Sequence, residues 1–280
     1  MPFIIRNGLL FVLLVGLSGC TSMTSLMFYP LKDYPATPAQ LGFDYQAVDS
    51  IAHDGTHLHS WWMPARGEAL GNVVFLHGNA QNMSYHQFNV HWLVKAGYNV
   101  FLLGYRQYGQ SDGQAMLPDI FMDVHVGLDW VLEQNNHLPV VILGQSMGAT
   151  LAVYGLASYP RKTQINGVVL DAAFDSYPGM AATAMSRHWL TWLLQLPAYA
   201  MTSRYDPIKW IDQWGEMPLL MLHSPQDQTV PYDAGERLFL NAKQPKAWVS
   251  THGAHIATFR SEQYQQVMLD FMSNLPPKSL

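Results

Sequence analysis

The sequence predicts an α/β fold in which helices cover both faces of a mostly parallel central sheet. From Asp44 onward, short β-rich runs bounded by turn residues alternate with segments of helical periodicity, and this alternation is typical of such a fold. Several runs are almost entirely Val, Leu, Ile or Phe, as expected for strands buried on both faces. With 280 residues and 49% hydrophobic composition, the chain is long enough for one well-buried domain.

The predicted strands, taken in order, cover residues 57–63, 72–76, 99–103, 140–143, 167–170, 219–222 and 247–250. Two helices are predicted from apolar residues that recur on one face. The first is marked by Ile120, Phe121, Val124, Leu128, Val131 and Leu132, and the second by Tyr264, Val267, Met268 and Phe271. Residues 176–205 interrupt the alternation with a run rich in Trp and Leu. This segment is either a small helical lid over a binding site or a pair of ordinary surface helices.

The N-terminus has the layout of a secretory signal peptide. Arg6 precedes an apolar run over residues 8–17, and small residues lead to Cys20, the only cysteine of the chain. The run is shorter than the roughly 20 residues of a membrane-spanning helix, so an uncleaved anchor is the weaker alternative. Leu17-Ser18-Gly19-Cys20 resembles the lipobox of bacterial lipoproteins, in which the cysteine is acylated.

That resemblance implies a division of the chain into three parts. Residues 1–19 would be a lipoprotein signal peptide, residues 20–43 a lipidated Cys20 with a Ser-, Thr- and Pro-rich tether, and residues 44–280 the catalytic domain. Thr21 resembles the outer-membrane sorting pattern of such lipoproteins. The expected location is therefore a bacterial cell envelope, with the domain anchored to the outer membrane and facing the periplasm, and the expected partner is a lipid bilayer.

A candidate nucleophile lies in a five-residue motif between a predicted strand and a predicted helix. The motif is Gly144-Gln145-Ser146-Met147-Gly148. It has the G-x-S-x-G pattern of a nucleophile elbow, a sharp turn in which the flanking glycines allow strand and helix to approach closely. A serine hydroxyl becomes a good nucleophile when an imidazole removes its proton, so Ser146 requires a histidine from elsewhere in the chain.

The histidine and the acid are expected on loops that follow later strands. His255 lies just beyond the last predicted strand, and His252 is its neighbour and competitor. Proteins with this kind of elbow carry the nucleophile, the acid and the histidine in that order along the chain, so the acid is expected between Ser146 and His255. Asp227 directly follows a strand and meets this requirement, and Asp171, one strand earlier, is the alternative. The acid would hold the imidazole in the correct tautomer.

These motifs together resemble the α/β-hydrolase superfamily, specifically its abhydrolase-type serine hydrolases, from about Tyr29 to the C-terminus. The resemblance is carried by the elbow, by the Asp227 and His255 segments, by His77-Gly78-Asn79-Ala80 and by residues 104–113. It selects His255 over His252 and favours Asp227. It also implies an oxyanion hole formed by the backbone N–H groups of Asn79 and Met147, with the Asn79 side chain mattering less than its backbone. Gln107 departs from the glycine that is usual in such proteins, which leaves the shape of its loop open.

Other features predict no cofactor and no metal. His53, His57 and His59 are spaced like metal ligands, but Asp54-Gly55 is a hairpin signal and no cysteine or carboxylate cluster completes a ligand set. Phosphate-binding and dinucleotide motifs are absent from the sequence. A formal net charge of -5 and only 12% charged residues argue against a nucleic-acid partner. No obligate protein partner is indicated.

The predicted function is hydrolysis of a carboxylic ester or related acyl bond through an acyl-enzyme, with a small acyl compound as substrate. The same three residues would serve a thioesterase, a lipase or a peptidase, because a fold does not determine the leaving group. An alternative from another class is a membrane-tethered binding or scaffolding protein with a non-catalytic hydrolase fold. Haloalkane dehalogenases and epoxide hydrolases of this superfamily use an aspartate nucleophile, so Ser146 argues against both.

Overall fold

The computed structural model describes residues 23–134, 137–187 and 201–276. Within them, one sheet contains eight strands: β2 (Gln46–Ile51), β3 (His57–Met63), β4 (Gly71–Leu76), β6 (Tyr98–Leu102), β7 (Val140–Gln145), β8 (Gly167–Asp171), β9 (Leu219–His223) and β10 (Lys246–Ser250). Their order across the sheet is β10-β9-β8-β7-β4-β6-β3-β2. Two short strands, β1 (Tyr29–Pro30) and β5 (Ala80–Gln81), pair separately.

The six strands from β6 to β10 in the sheet order run parallel, and β3 and β2 complete one edge in antiparallel pairing. Side chains alternate between the two faces, as the two-residue period of a strand requires. In β4, Val74 and Leu76 belong to the apolar cluster on one face of the sheet, the first apolar cluster. Val73 and Phe75 belong to the cluster on the other face, the second apolar cluster. The seven predicted strands are confirmed. Strand β2 was missed because this edge strand buries only Val48 and has no apolar run.

Helices cover both faces of the sheet. They are α1 (Met83–His86), α2 (His91–Lys95), α3 (Ile120–Leu132), α4 (Met147–Ala157), α5 (Tyr177–Ser186), α6 (Tyr232–Asn241) and α7 (Glu262–Ser273). Buried residues of α3, α4 and α6 belong to the first apolar cluster, and those of α2 and α7 belong to the second. The predicted mostly parallel sheet between two helical layers is therefore confirmed, including both helices expected from their apolar faces. Across the described residues, none of the helices combines the length and apolar character needed to cross a bilayer.

The segment predicted as a possible lid is described in part. Helix α5 begins after Ser176, whose Oγ accepts a hydrogen bond from the Gly179 backbone N–H at 3.2 Å. Tyr177 is buried, and its N–H donates to Asp206 Oδ1 at 3.0 Å. Residues 188–200, which contain the Trp- and Leu-rich run, lie outside the described residues. The lid stays a prediction.

Residues 23–43 are packed against the domain. Thr24 and Phe28 are buried, and Thr24 Oγ1 accepts a hydrogen bond from the Leu117 N–H at 3.0 Å. Strand β1 pairs with β5, and Phe43 is buried in the second apolar cluster. This corrects the prediction of a tether over residues 20–43, because from residue 23 onward the chain buries apolar side chains in the folded domain. The predicted signal peptide and Cys20 lie outside the described residues.

A buried ion pair holds the loop that follows β6. The Arg106 guanidinium donates to Asp123 Oδ1 from Nη2 at 2.7 Å and from Nε at 2.9 Å, and its Nη1 donates to Asp54 Oδ2 at 2.8 Å. The Arg106 backbone N–H donates to Asp123 Oδ2 at 2.8 Å. Asp123 is fully buried and Arg106 nearly so. The carboxylate on α3 therefore fixes both the backbone and the side chain of the loop residue.

Gln107, in the same loop, adopts a φ of 71°. This left-handed conformation favours glycine, because a residue without a Cβ adopts it at no steric cost. Here the Gln107 N–H donates to Asp112 O at 2.7 Å, and its Oε1 accepts a hydrogen bond from the Ala115 N–H at 2.8 Å. Two hydrogen bonds thus stabilise a turn that glutamine adopts at a cost of about 1 kcal/mol.

Replacing Asp123 by Ala is expected to lower the free energy of unfolding by about 3–5 kcal/mol, because the Arg106 charge is left buried without its main partner. Urea denaturation followed by circular dichroism measures the change. Asp233→Ala is the matched control, since it removes an ion pair with Arg237 whose side chains are 67% and 49% exposed. Exposed pairs contribute at most about 1 kcal/mol. Equal losses in the two variants would contradict the assigned role of Asp123.

Candidate active site

Ser146 occupies a strained turn between β7 and α4. Its φ of 56° and ψ of -121° lie outside the regions that ordinary residues favour. A Cβ at Gly148 would lie 2.0 Å from the Leu76 carbonyl oxygen, and one at Gly144 would lie 2.5 Å from the Ala149 Cα. Both flanking glycines are therefore required by close backbone approach. Such strain costs about 1–3 kcal/mol and is typical of functional positions.

The structure brings Ser146, His255 and Asp227 together. Ser146 Oγ lies 2.9 Å from His255 Nε2, and His255 Nδ1 lies 2.7 Å from Asp227 Oδ2. Ser146 follows β7, Asp227 follows β9, and His255 follows β10. Because these strands are parallel, their carboxyl ends meet at one edge of the sheet. The three residues predicted from motifs far apart in the chain form one continuous set of hydrogen bonds.

Asp227 lies in a site that stabilises its charged form. Its Oδ1 accepts hydrogen bonds from the backbone N–H groups of Thr229 at 2.7 Å and Val230 at 3.0 Å. Its side chain is 1% exposed, and His223 Nε2 lies 3.6 Å from Oδ2. Burial raises the pKa of Asp227, but the interactions with His223 and His255 outweigh it and hold the pKa below its usual value. Asp227 is therefore ionised at neutral pH.

His223 is a part of the site that sequence reasoning missed. It is the last residue of β9, and its Nε2 also lies 3.2 Å from the Val230 carbonyl oxygen. The side chain is 1% exposed. A polar residue at the end of the apolar sequence Leu219–Leu222 was the signal that could have revealed it. His223 contributes a second imidazole beside the carboxylate that contacts His255.

The loops that carry Asp227 and His255 are joined to each other. Ser224 Oγ donates to the Gly253 carbonyl oxygen at 2.7 Å, and the Gly253 N–H donates to Gln226 Oε1 at 2.8 Å. Gly253 has a φ of 105°, which a residue with a side chain rarely adopts. These contacts fix the position of the histidine loop relative to the acid loop.

Asp171, the alternative acid, lies in a different hydrogen-bond network. Its Oδ1 accepts from Thr258 Oγ1 at 2.7 Å and its Oδ2 from Gln145 Nε2 at 2.8 Å. Its backbone oxygen accepts from the Ser146 N–H at 2.8 Å. Burial raises the pKa of Asp171. Within the described part of the chain, Asp227 accepts the hydrogen bond from His255 Nδ1, and Asp171 supports the turn beneath Ser146.

The predicted oxyanion-hole residues lie beside Ser146. Met147 follows it directly, and a Cβ at Gly78 would lie 3.6 Å from the Ser146 Cβ, which places the Gly78-Asn79 turn next to the serine. The backbone N–H groups of Asn79 and Met147 donate no hydrogen bond to any other described group. Both donors are therefore available to a ligand oxygen.

The Asn79 side chain makes contacts that the sequence did not predict. Its Nδ2 donates to the Met27 carbonyl oxygen, and its Oδ1 accepts from the Tyr29 N–H at 3.1 Å and the Tyr108 hydroxyl at 3.0 Å. The Tyr108 hydroxyl also lies 2.6 Å from the Asn79 carbonyl oxygen. The N-terminal segment and the loop after β6 thus hold the Asn79 turn from two sides.

The histidines on the β2–β3 hairpin lie away from these residues. His57 Nε2 lies 3.1 Å and His59 Nδ1 lies 2.9 Å from Asp49 Oδ1 on the paired strand. Among residues 23–134, 137–187 and 201–276, no group of three or more His, Cys, Asp or Glu side chains is placed to hold a metal ion. The pairing with Asp49 gives these histidines a structural partner.

A family model agrees with this arrangement. Hydrolase_4, described as "Serine aminopeptidase, S33", matches residues 67–216, more than half of the chain. The chain belongs to the Hydrolase_4 family. The matched range of this α/β hydrolase includes Asn79 and Ser146 and ends before Asp227 and His255. The positions of Asp227 and His255 are therefore given by the structure and not by the family match.

Individual relatives of this Hydrolase_4 protein match it over most of its length. The uncharacterized protein YfhR of Salmonella typhi is 32% identical over 263 residues, 88% of this chain and 85% of that protein. The α/β hydrolase domain-containing protein WAV2 of Arabidopsis thaliana is 28% identical over 88% of this chain and 84% of its own. Lysophosphatidylserine lipase ABHD12 of Xenopus tropicalis is 25% identical over 76% of this chain and 60% of its own.

Solved structures show the same fold. The esterase Pf2001 of Pyrococcus furiosus has a TM-score of 0.73 at 21% identity and covers 89% of this chain and 98% of its own. The acylaminoacyl peptidase of Pyrococcus horikoshii has a TM-score of 0.63 at 16% identity, over 85% of this chain and 42% of its own. These similarities confirm the predicted α/β-hydrolase fold of the Hydrolase_4 chain.

Proposed function

We propose that the protein is a serine hydrolase that cleaves a carboxylic ester or related acyl bond through an acyl-enzyme. The observation that carries the proposal is the continuous set of hydrogen bonds from Ser146 through His255 to Asp227, with distances of 2.9 Å and 2.7 Å. This geometry matches the nucleophile, base and orienting acid that define a serine triad. The family match and the relatives described as an esterase and a lipase support it.

In the first half of the reaction, Ser146 Oγ attacks the carbonyl carbon while His255 Nε2 takes its proton. Asp227 accepts the hydrogen bond from His255 Nδ1, which sets the tautomer and stabilises the imidazolium. The carbonyl oxygen becomes an oxyanion facing the N–H groups of Asn79 and Met147. Collapse breaks the bond to the leaving alcohol, which takes the proton from His255 Nε2 and leaves an ester on Ser146.

In the second half, water attacks the acyl carbon and gives its proton to His255 Nε2. Breakdown of the second tetrahedral intermediate releases the carboxylic acid and returns the proton to Ser146 Oγ. The products balance the reactants as one alcohol and one acid for one ester and one water. In both halves, every transferred proton passes through His255 Nε2.

The proposal is tested with purified protein and a series of nitrophenyl esters of increasing acyl length, accompanied by a thioester and an aminoacyl amide. A fluorophosphonate probe is expected to label wild-type protein and the control variant Ser273→Ala, and to leave Ser146→Ala unlabelled. Ester turnover with Ser146 labelling supports the proposal, and the preferred leaving group separates esterase, thioesterase and peptidase. Absence of both turnover and labelling would favour the non-catalytic binding protein instead.

Asn79→Ala is expected to lower kcat for a dissolved ester by about 10- to 100-fold, because a small displacement of an oxyanion donor has a large effect on rate. The substitution keeps the backbone N–H but removes the side-chain bonds to Met27, Tyr29 and Tyr108. Steady-state kinetics separates kcat from KM. Tyr108→Phe, which removes only the hydroxyl, should have a smaller effect, and an unchanged kcat in Asn79→Ala would contradict the positioning of the donor.

We also propose that the N-terminus attaches the protein to the outer membrane through acylated Cys20, on the basis of the lipobox-like sequence at residues 17–20. More than one acyl chain on Cys20 would anchor the domain durably. Cys20→Ala is expected to abolish incorporation of radiolabelled palmitate and to block processing of the precursor. The control variant Ser22→Ala should be labelled like the wild type. Undiminished labelling of Cys20→Ala would reject this attachment.

A further inference from the structure

The described chain begins with a segment that is fixed to the catalytic domain. Thr24 and Phe28 are buried, the Leu117 N–H donates to Thr24 Oγ1, and Phe28 lies in the first apolar cluster. Farther along, the Leu31 N–H donates to Gln81 O at 3.1 Å and the Leu31 carbonyl oxygen accepts from the Gly109 N–H at 2.9 Å. Residues 23–31 therefore hold one orientation relative to the active site.

This fixed segment exposes three large apolar side chains. Leu26 is 73% exposed, Tyr29 is 64% exposed and Leu31 is 42% exposed. Thr24 and Phe28 of the same segment are buried in the domain, whereas these three side chains face outward. We call Leu26, Tyr29 and Leu31 the apolar rim. A group of exposed apolar side chains on a rigid segment is typical of an interaction surface.

The apolar rim adjoins the proposed oxyanion hole. The backbone of Met27 and Tyr29 hydrogen-bonds to the Asn79 side chain, and Tyr29 pairs with Ala80. The Gly78-Asn79 turn lies next to Ser146. The Asn79 turn therefore connects the segment that carries the rim to the proposed nucleophile.

The position of the rim in the chain indicates what covers it. Cys20 precedes Met23 by three positions, which an extended chain spans in at most about 10 Å. The apolar run over residues 8–17 ends three positions before Cys20. The attachment proposed for Cys20 would place the start of the folded domain close to the bilayer surface, and the docking inference rests on that attachment.

We propose that the apolar rim docks on the lipid bilayer, so that the active site takes an amphiphilic acyl ester directly from the membrane. This inference rests on the proposed hydrolase function and names its substrate class. Leu26, Tyr29 and Leu31 insert among the headgroups, and the oxyanion side of the site faces the lipid. The substrate acyl chain then leaves the membrane beside Asn79 with little exposure to water, which removes the hydrophobic cost of transfer through solvent.

The charges around the rim indicate that apolar contact drives this docking. Lys32 and Asp33, the next two residues, carry opposite charges, and Asp33 Oδ2 accepts a hydrogen bond from the Tyr85 hydroxyl at 2.7 Å. The whole chain has a formal net charge of -5. Attraction to anionic lipid therefore contributes little, and docking on zwitterionic lipid should change little with salt.

A test independent of turnover uses the full chain in phosphatidylcholine vesicles. A photo-crosslinking phenylalanine analogue is incorporated at the position of Tyr29, and at the position of Leu70 as control. Leu70 is 58% exposed but precedes β4, at the opposite end of the strands from Ser146. Lipid adducts at position 29 and none at position 70 are expected. Adducts between two copies of the chain, or none with lipid at position 29, would overturn the docking.

The kinetic test compares an ester embedded in the vesicles with a dissolved short-chain ester. The combined variant Leu26→Ser, Tyr29→Ser, Leu31→Ser is expected to lower the ratio of the two rates at least about tenfold, or about 1.4 kcal/mol. The control combines Leu70→Ser with Leu240→Ser, which removes exposed apolar side chains elsewhere. An unchanged ratio in the rim variant would reject the inference. Absence of hydrolysis of either ester by the wild type would reject the hydrolase function, while the crosslinking result still decides the docking.

Discussion

Replacing Ser146 by Ala is expected to lower kcat for ester hydrolysis by about 10⁶-fold, the size of effect measured when a serine protease loses its nucleophile. The substitution removes the one atom that forms the covalent bond and keeps the backbone of the turn. His255 loses its hydrogen-bond partner at 2.9 Å, and no acyl-enzyme forms. Residual turnover above the spontaneous rate would come from water attacking a substrate held by Asn79 and Met147.

The measurement is the initial rate with a dissolved ester, together with the burst of alcohol that reports acyl-enzyme formation. Ser273→Ala, on the exposed side of α7, is the matched control and should keep the wild-type rate. If Ser146→Ala retained a burst and a rate within tenfold of the wild type, another nucleophile would carry the reaction. The assignment of Ser146 would then be wrong.

Asp227→Asn is expected to lower kcat by about 10³- to 10⁴-fold, as in serine proteases whose triad acid is made an amide. An amide that donates to His255 Nδ1 leaves the proton on Nε2, and that tautomer cannot accept the Ser146 proton. Asp171→Asn should have a far smaller effect, because Asp171 contacts Thr258 and Gln145 and the amide oxygen can still accept a hydrogen bond. Circular dichroism of both variants verifies folding. The reverse ranking in kcat would move the acid to Asp171.

The same variants give a stability test against pH. The pKa of Asp227 is lower in the folded protein than its unfolded value near 4, so its contribution to stability is present above that pH. The contribution is lost as pH falls toward the folded pKa, when the carboxylate is protonated. Wild-type protein should therefore lose more unfolding free energy between neutral pH and pH 3 than Asp227→Asn does. Parallel losses in urea titrations at the two pH values would contradict the pKa shift.

Local sequence was sufficient to predict most of the sheet and the turn that carries Ser146. Strands Gly71–Leu76 and Gly167–Asp171 contain the uninterrupted apolar runs Val73–Leu76 and Val168–Leu170, because a strand buried on both faces has no polar side to obscure the pattern. The turn at Ser146 was equally readable, since Gly144 and Gly148 meet neighbouring backbone so closely that only glycine fits. Where one element's own environment determines its residues, the pattern is visible in the sequence.

Local sequence patterns did not predict the edge strand β2 or the packing of the N-terminal segment. Gln46–Ile51 buries a single side chain fully, so its sequence resembles a loop. Residues 23–43 are rich in Ser, Thr and Pro like a linker, yet Thr24, Phe28 and Phe43 find partners far along the chain. A few buried side chains are enough to order such a segment, and no local sequence pattern predicts them.

By itself, the sequence determined that this chain has an α/β fold with Ser146 in a glycine-flanked turn between a strand and a helix, and it named Asp227 and Asp171 as candidates for the proposed acid. Only the tertiary structure decided that Asp227 rather than Asp171 contacts His255, added His223 beside it, and joined the Asn79 side chain to Met27, Tyr29 and Tyr108. The physical reason is that these interactions act over different separations along the chain. Backbone strain and strand burial act between neighbours in sequence, whereas a hydrogen bond depends on the final positions of loops that are distant in the chain.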